Sequence, residues 1–293
     1  IKKIIYKNLQ NIVIKVLPGR SRFVVPEIYK SYIGDCYWKY QKNGSVENFF
    51  KATVTKYLPY ILKTKNLYSN NNEKIKILDY GCGPGQLAVA VKMYKDSSEK
   101  EISYTGIEIV SDYINFLSNK FKNDKDFSFY LLDVKDNVNY QEQLIKNDTT
   151  LKDSDGSEGN FKKLTKDKFN IQWSSSVFTH LTPAASKEAL KSISALSEKN
   201  CIQINTWIII DSYSKLSLLT DQCDRRLPYD NGDYLTYEKK NPLLEVAHKI
   251  EKIKEYYANA NLEIINIQRG HWRGGIYSNH IHYQDIIISR PIL

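Results

Sequence analysis

The chain has 293 residues, with 42 Lys and Arg against 33 Asp and Glu, giving a net charge of +9. This is long enough for one large domain, or one domain with an elaboration, and no apolar run approaches the roughly 18 residues of a membrane span. Four cysteines, Cys36, Cys82, Cys201 and Cys223, stand far apart without Cys-x-x-Cys spacing, which argues against a disulfide frame or zinc site and for free thiols in a reducing, cytoplasmic compartment. The positive balance suits an acidic partner such as a phosphorylated or nucleotide-linked substrate. Its charges are spread along the chain rather than clustered, so no nucleic-acid partner is expected.

Residues 1–17 place Ile1, Ile4, Ile5, Leu9, Ile12, Val13, Val16 and Leu17 on one helical face, and Pro18-Gly19 ends the pattern. Such a helix packs on the domain or on a second subunit of a homodimer. With Lys2, Lys3, Lys7 and Lys15 on its other side, the alternative is peripheral contact with an anionic membrane. Residues 20–44 are irregular and aromatic, and 45–62 read as a helix through Val46, Phe49, Phe50, Val54, Leu58, Ile61 and Leu62. Residues 1–73 thus form an N-terminal helical and aromatic extension, suited to capping a substrate.

The pattern changes at 74–89, KIKILDYGCGPGQLAV. A short buried strand from Ile75 to Leu78 ends at Asp79, Gly81, Gly83 and Gly85 follow at alternate positions, and a helix starts at Gln86. Glycine is required where backbone takes a positive φ or a ligand approaches closely. A strand feeding such a turn into a helix N-terminus is the usual place for a nucleotide-like cofactor. The dinucleotide fingerprint is not met, because Gln86 stands where its last glycine would be.

A second strand covers 102–109, with Glu108 near its end, 23 residues beyond Gly85. A carboxylate there can accept hydrogen bonds from both hydroxyls of a ribose, and a charge at the end of a buried strand needs a partner. A helix over 111–122 follows, with Ser111 as N-cap, then a third strand over 127–132 and Asp133-Val134. Residues 141–168, containing DTTLKDSDGSEGN, are polar and without periodicity, a loop insertion of the length that serves as a lid or an excursion. A fourth strand at 169–173 leads into SSSVFTHLTP, then a helix over 184–196 and a fifth strand over 201–211. A second irregular excursion is expected at 216–236, a helix at 244–260, a strand at 262–268 and a last apolar strand after Asp285.

Two of these stretches resemble a known family. DYGCGPG, Asp79 to Gly85, is similar position by position to motif I of the class I S-adenosylmethionine (SAM) methyltransferases, an acid followed by Gly-x-Gly-x-Gly after one residue. SVFTHL, Ser176 to Leu181, resembles a motif of a subset of that family, many of them associated with bacterial surface-polysaccharide gene clusters. NVNY at 137–140, Thr206-Trp207 with Asp211, and Gly270-His271-Trp272-Arg273-Gly274 with Tyr283-Gln284-Asp285 are similar to further family segments. One position departs: Phe169-Asn170 replaces the usual Phe-Asp, keeping a hydrogen-bonding side chain but no charge.

The resemblance covers about residues 25–290. It implies an α/β, Rossmann-like class I methyltransferase fold at 74–293, a seven-stranded, mostly parallel sheet with helices on both faces, and loop insertions near 141–168 and 212–243. It implies SAM as cofactor, bound by Asp79, Gly81, Gly83, Gly85, Gln86, Glu108, Ile109, Asp133, Val134, Ser175 and Ser176. In the resemblance Glu108 takes the ribose, Asp133 the adenine amino group, and Val134 packs on the ring.

SAM carries a methyl on a cationic sulfur, and the protein must hold an acceptor in line behind it. Methylation of base nitrogens normally needs an Asn/Asp-Pro-Pro-aromatic segment after the fourth strand, and pyrimidine carbon-5 methylation a Pro-Cys nucleophile. Ser174-Ser175-Ser176-Val177 stands there instead. A hydroxyl acceptor suits a histidine or carboxylate base. His180 is the leading base, with capping of the turn as its structural alternative, and Asp211 is a second base or the orienter of a histidine. His271, His280 and His282 lie between the last two strands, and one of them lines the acceptor pocket. His-x-His without an acidic pattern points to no metal. The expected activity is O-methylation of a sugar hydroxyl, on a nucleotide-linked sugar or a surface glycan. The alternatives are another small metabolite or phosphate-type oxygen, an RNA methyltransferase, or a SAM-binding protein without catalysis.

Overall fold

A computed structural model describes residues 27–32, 50–69, 74–132, 165–274 and 281–292. The expected helix at 1–17, most of the aromatic stretch, Asp133, Val134, NVNY, His280 and nearly all of the 141–168 insertion lie outside the described residues. None of the described helices is long and apolar enough to cross a membrane.

In chain order the strands are β1 Ile75–Tyr80, β2 Ile102–Glu108, β3 Phe127–Leu131, β4 Phe169–Ser174, β5 Ser197–Trp207 and β6 Ile209–Ile210. They continue with β7 Tyr229–Asp230, β8 Tyr234–Thr236, β9 Val246–Lys249, β10 Leu262–Gln268 and β11 Asp285–Pro291. The main helices are α1 Leu58–Tyr68, α2 Gln86–Ser97, α3 Ser111–Phe121, α4 Pro183–Ser194, α5 Ser212–Leu219 and α6 Ile250–Asn259. Seven strands form one sheet in the order β10-β11-β5-β4-β1-β2-β3. β3, β2, β1, β4 and β5 pair in parallel, and β11 runs antiparallel to both β5 and β10. This is a Rossmann-like α/β sheet.

Alternation along each strand sends successive side chains to opposite faces, and both faces are covered, so the strands read as apolar runs. Ile77 of β1 and Ile286 and Ile288 of β11 face a core that includes Leu58 and Ile61 of α1, Val89 of α2 and Leu117 of α3. Leu78 and Ile287 face the other core, with Leu190 and Ile193 of α4 and Ile253, Tyr256 and Tyr257 of α6. Ahead of α1, Thr53–Tyr57 is a π-helical turn. Pro59 has no N–H to give to the preceding turn, and widening the helix accommodates that loss.

The structure corrects several boundaries. β1 runs past Leu78 to Tyr80, because Asp79 and Tyr80 pair with Gly106 and Ile107. The N-cap of α3 is Val110 and Ser111 is its first helical residue, so Ser111 caps nothing. The run expected as one strand over 201–211 starts earlier, at Ser197, and breaks after Trp207. Ile209 and Ile210 leave the main sheet and pair in parallel with His248 and Lys249. The excursion expected at 216–236 is ordered instead: it holds the end of α5 and the β7–β8 hairpin, part of a second sheet of order β6-β9-β8-β7. The helix expected from 244 starts at Ile250, because Val246–Lys249 is strand β9. A short buried strand cannot be told from a helix segment by apolar periodicity.

Asn170, the departure from the family pattern, joins β4 to the entry of β1. Its Oδ1 accepts from the Lys76 N–H at 2.9 Å and its Nδ2 donates to the Lys74 carbonyl at 2.8 Å. An ionised aspartate could make only the first bond. Asn170→Asp is therefore expected to lower stability by about 1–3 kcal/mol in urea denaturation. An unchanged midpoint would show that the second bond contributes nothing.

Candidate functional site

β1 and β4 are neighbours in the sheet, but the chain leaves them toward opposite faces, through α2 and α4. Their C-terminal ends therefore border the crevice where open α/β sheets take ligands. At the β1 end, the Gly81 and Cys82 N–H groups both donate to the Ile107 carbonyl, at 2.8 and 3.1 Å. Gly81, Gly83 and Gly85 have φ of 77°, 54° and 88°. A Cβ at Gly81 would lie 2.2 Å from Val177, and one at Gly85 would lie 2.3 Å from Leu117. These two glycines let the turn pack against the SVFTHL segment on one side and α3 on the other. At Gly83 a Cβ would meet nothing closer than Gln86 Oε1 at 3.8 Å, so the backbone there is open to a ligand. Gln86 is the first residue of α2, whose N-cap Gly85 supplies no side-chain acceptor.

Glu108 fastens this turn to the end of β2. Its Oε2 accepts from the Gly83 N–H at 2.8 Å, and its Oε1 accepts from the N–H groups of Ile109 and Val110 at 2.8 and 3.2 Å. The partner demanded by its burial is thus backbone, and three bonds leave about one of the carboxylate's four lone-pair sites for a ligand. Burial raises its pKa against those three N–H groups.

Asp79 points into the sheet face below, 3% exposed, and accepts a 2.5 Å hydrogen bond from the Tyr104 hydroxyl. Burial pushes its pKa up to about 7, with the Tyr104 bond opposing and the Glu108 charge adding. The folded chain therefore keeps a proton that the unfolded chain loses near the ordinary aspartate value of 3.8. Stability from this group is complete below that value and is lost as pH rises toward about 7. Asp79→Asn should flatten this fall in thermal unfolding across pH 4 to 7.5; an identical slope would place its cause elsewhere.

At the β4 end, Ser175 and Ser176 are held by Thr206 of β5 and by His282 and Gln284 just ahead of β11. Ser176 has φ of 60°, unusual for a side-chain-bearing residue. Its N–H donates to Thr206 Oγ1 at 2.7 Å, and the Thr206 and Ser176 hydroxyls donate to Gln284 Oε1 at 2.7 and 3.2 Å. The Gln284 N–H donates to His282 Nδ1 at 3.0 Å, so the His282 proton sits on Nε2, which donates to Ser175 Oγ at 3.2 Å. Burial lowers the His282 pKa to about 4, fixing it as a neutral donor. Tyr57, from the turn before α1, packs over His282 with ring centroids 5.2 Å apart.

His180 ends the short 3₁₀ turn Phe178–His180. Its Nδ1 donates to the Leu243 carbonyl at 2.9 Å, and burial lowers its pKa while the Leu243 and Leu244 carbonyls oppose. It is neutral at pH 7. His248 of β9, which sequence reasoning passed over, clamps the same turn from beneath, with Nε2 3.3 and 3.1 Å from the Phe178 and Leu181 carbonyls.

Asp211 is a helix cap and an ion-pair partner. Its Oδ1 accepts from the Ser214 N–H at 2.9 Å and from Arg273 Nη1 at 2.7 Å, and its Oδ2 lies 2.8 Å from Arg269 Nη2. Burial works the other way, yet the Ser214 N–H and the two guanidinium groups hold its carboxyl below the usual range. Arg273 is fully buried and also donates from Nε to Asp285 Oδ1 at 2.8 Å and from Nη2 to the Ile209 carbonyl at 2.7 Å. Asp285, equally buried, accepts as well from the Gly270 and Ile209 N–H groups and from Trp272 Nε1. The GHWRG and YQD segments, legible in the sequence only as spelling, are thus the two halves of one lock. It fastens the second sheet to the first.

A cleft of about 430 Å³ opens beside the end of α5, lined by Leu218, Asp221, Cys223, Arg225, Arg226, Leu227 and Pro228. Its two arginines are paired, Arg226 with Asp221 and Arg225 with Glu245. Both are surface pairs within the chain.

No protein-family profile matches the chain, and no curated protein matches its sequence. Solved structures with a similar chain course include an S-adenosylmethionine-dependent methyltransferase from Clostridium acetobutylicum ATCC 824, 14% identical, with 83% of this chain and 92% of that one covered and a TM-score of 0.46. Another is magnesium protoporphyrin IX methyltransferase from Synechocystis PCC 6803 with bound SAH, 12% identical, with 90% and 98% covered and a TM-score of 0.47. A third is DesVI from Streptomyces venezuelae, 14% identical, with 84% and 97% covered and a TM-score of 0.45.

Proposed function

We propose that the protein is a SAM-dependent O-methyltransferase acting on a sugar hydroxyl, carried by a nucleotide or within a surface glycan. The observation that carries this reading is the turn after β1: three positive-φ glycines, open backbone at Gly83, and the Glu108 carboxylate bonded to that same residue. The Glu108 carboxylate at the end of β2 keeps one acceptor site beside the open Gly83 backbone, which suits a ligand bearing hydroxyl donors. SAM bound there supplies an electrophilic methyl.

In this reading Gly81, Gly83, Gly85 and Gln86 cradle the cofactor, the remaining lone pair of Glu108 takes a ribose hydroxyl, and Ile109, Asp133 and Val134 receive the adenine. Ser175 and Ser176 border the methyl. An acceptor hydroxyl held beside them would give up its proton to neutral His180 as it takes the methyl. Asp211 is an anchor for the second sheet rather than a base, because two arginines and a helix N-terminus share its carboxylate. Residues 1–73 act as a substrate cap, a reading supported by Tyr57 packing on His282. The sugar rests on the SVFTHL resemblance.

The test is methyl transfer from SAM to a panel of nucleotide sugars and phosphorylated sugars, with the His180→Ala variant in parallel. We expect turnover on a sugar, lowered about 100-fold or more in the variant while its SAM affinity is retained. Turnover only on other metabolites would remove the sugar assignment, and full activity of the variant would remove His180 as base.

A further inference from the structure

The sheet face beneath α4 and α6 carries a polar patch that the proposed reaction does not use. Gln172 and Ser174 of β4, Gln203 and Asn205 of β5, and Ser289 of β11 are each at most 1% exposed. Register makes them neighbours: Gln172 pairs with Gln203, Ser174 with Asn205, and Ser289 with Gln203. Residues two apart on a strand share a face, so the five side chains form one contiguous seam. Around it lie Phe169, Leu190, Ile193, Trp207 and Ile287.

Half of each amide is used. Gln172 Nε2 donates to the Ile193 carbonyl of α4 at 2.8 Å and to Ser197 Oγ at 3.2 Å, and Gln203 Nε2 donates to the same hydroxyl at 3.0 Å. Asn205 Nδ2 donates to the Tyr257 hydroxyl of α6 at 3.1 Å. The oxygens are not used. Among the described residues, Oε1 of Gln172 and Gln203, Oδ1 of Asn205, and Oγ of Ser174 and Ser289 make no hydrogen bond. Turning an amide over does not help: it would set Gln172 Oε1 against the Ile193 carbonyl, and at Asn205 it would only exchange which atom goes unbonded.

Buried polar atoms in folded proteins are nearly all hydrogen-bonded, to protein or to ordered water. Five adjacent exceptions point to one missing kind of donor. We infer that the seam is a binding site for ordered water between β4, β5 and β11. The chemistry selects that ligand. Three amide oxygens can only accept, two hydroxyls can do either, and each water brings two donors with acceptor capacity left over. A cation would require charge to offset its dehydration, and the nearby carboxylate on this face, Asp285, is taken by Arg273, Trp272 and two backbone N–H groups. The water links β4, β5 and β11 to one another directly beneath Ser175 and Ser176.

The test is independent of catalysis. A crystal structure of the full chain, at a resolution that shows solvent, should contain density about 2.7–3.2 Å from two or more of the five oxygens. Ser289→Ala, which removes only a hydroxyl with no bond to a described residue, should lower the thermal midpoint because it takes a partner from the water. A dry seam with repacked side chains, or a density with the short, many-oxygen contacts of a cation, would overturn the inference. An unchanged or raised midpoint in Ser289→Ala would count equally against it. If that variant fails to fold, the solvent structure of the unaltered protein decides.

Discussion

Replacing Asp285 by alanine is expected to lower stability by about 3–5 kcal/mol, a large share of the total for a chain of this kind. The size follows from what the carboxylate holds. Arg273 is fully buried and directs Nε and Nη2 at Asp285, at 2.8 and 3.1 Å. Without it the guanidinium keeps only Asp211 and the Ile209 carbonyl. The N–H groups of Gly270 and Ile209 and the indole of Trp272 would lose their acceptor as well. Breaking a buried pair from one side costs more than the pair contributes, because the remaining charge stays desolvated. Urea denaturation measures this directly. A loss below about 1 kcal/mol would mean that water or a rearranged Asp211 replaces the carboxylate, and that the lock between the two sheets is weaker than its geometry indicates.

Gly83→Ala is expected to weaken cofactor binding by about tenfold or more while sparing the fold. The added Cβ has open space, with Gln86 Oε1 at 3.8 Å, and φ of 54° lies in the small left-handed region that other residues reach with modest strain. The methyl would then project where the proposed ligand meets the backbone, and about 1.4 kcal/mol of lost contact is a factor of ten. Gly232→Ala is the control, since Gly232 also has a positive φ and no atom within 4 Å of a built Cβ, but lies in the β7–β8 turn. Calorimetric affinities for S-adenosylhomocysteine should separate the two variants although their stabilities fall alike. Equal affinities would show that Gly83 does not face the ligand.

The central sheet was legible because its strands are buried on both faces: ILDY, YTGIE and the triple isoleucine of β11 are runs that solvent does not interrupt. Gly81, Gly83 and Gly85 were legible because a positive φ leaves its mark on residue type. The second sheet was not. Ile209 and Ile210 continue the apolar run of β5, and nothing in their chemistry announces that the chain has changed sheets. Val246–Lys249 merges into the periodicity of α6 for the same reason. Asp211 looked like a base because it ends an apolar run near the crevice; Arg269 and Arg273, about 60 residues away in sequence, decide its charge and its duty. His282 shows a different limit. Its tautomer is set by a backbone N–H two residues on, a fact of conformation that residue type does not carry.

The measurement that tests the central claim most directly is a calorimetric titration of the unaltered protein with S-adenosylhomocysteine, the product that SAM would leave. The glycine turn and its Glu108 fastening predict saturable binding at one site per chain with micromolar affinity, competed by SAM. No saturable heat up to millimolar ligand would contradict the assignment of the crevice at the ends of β1 and β4 as a cofactor site.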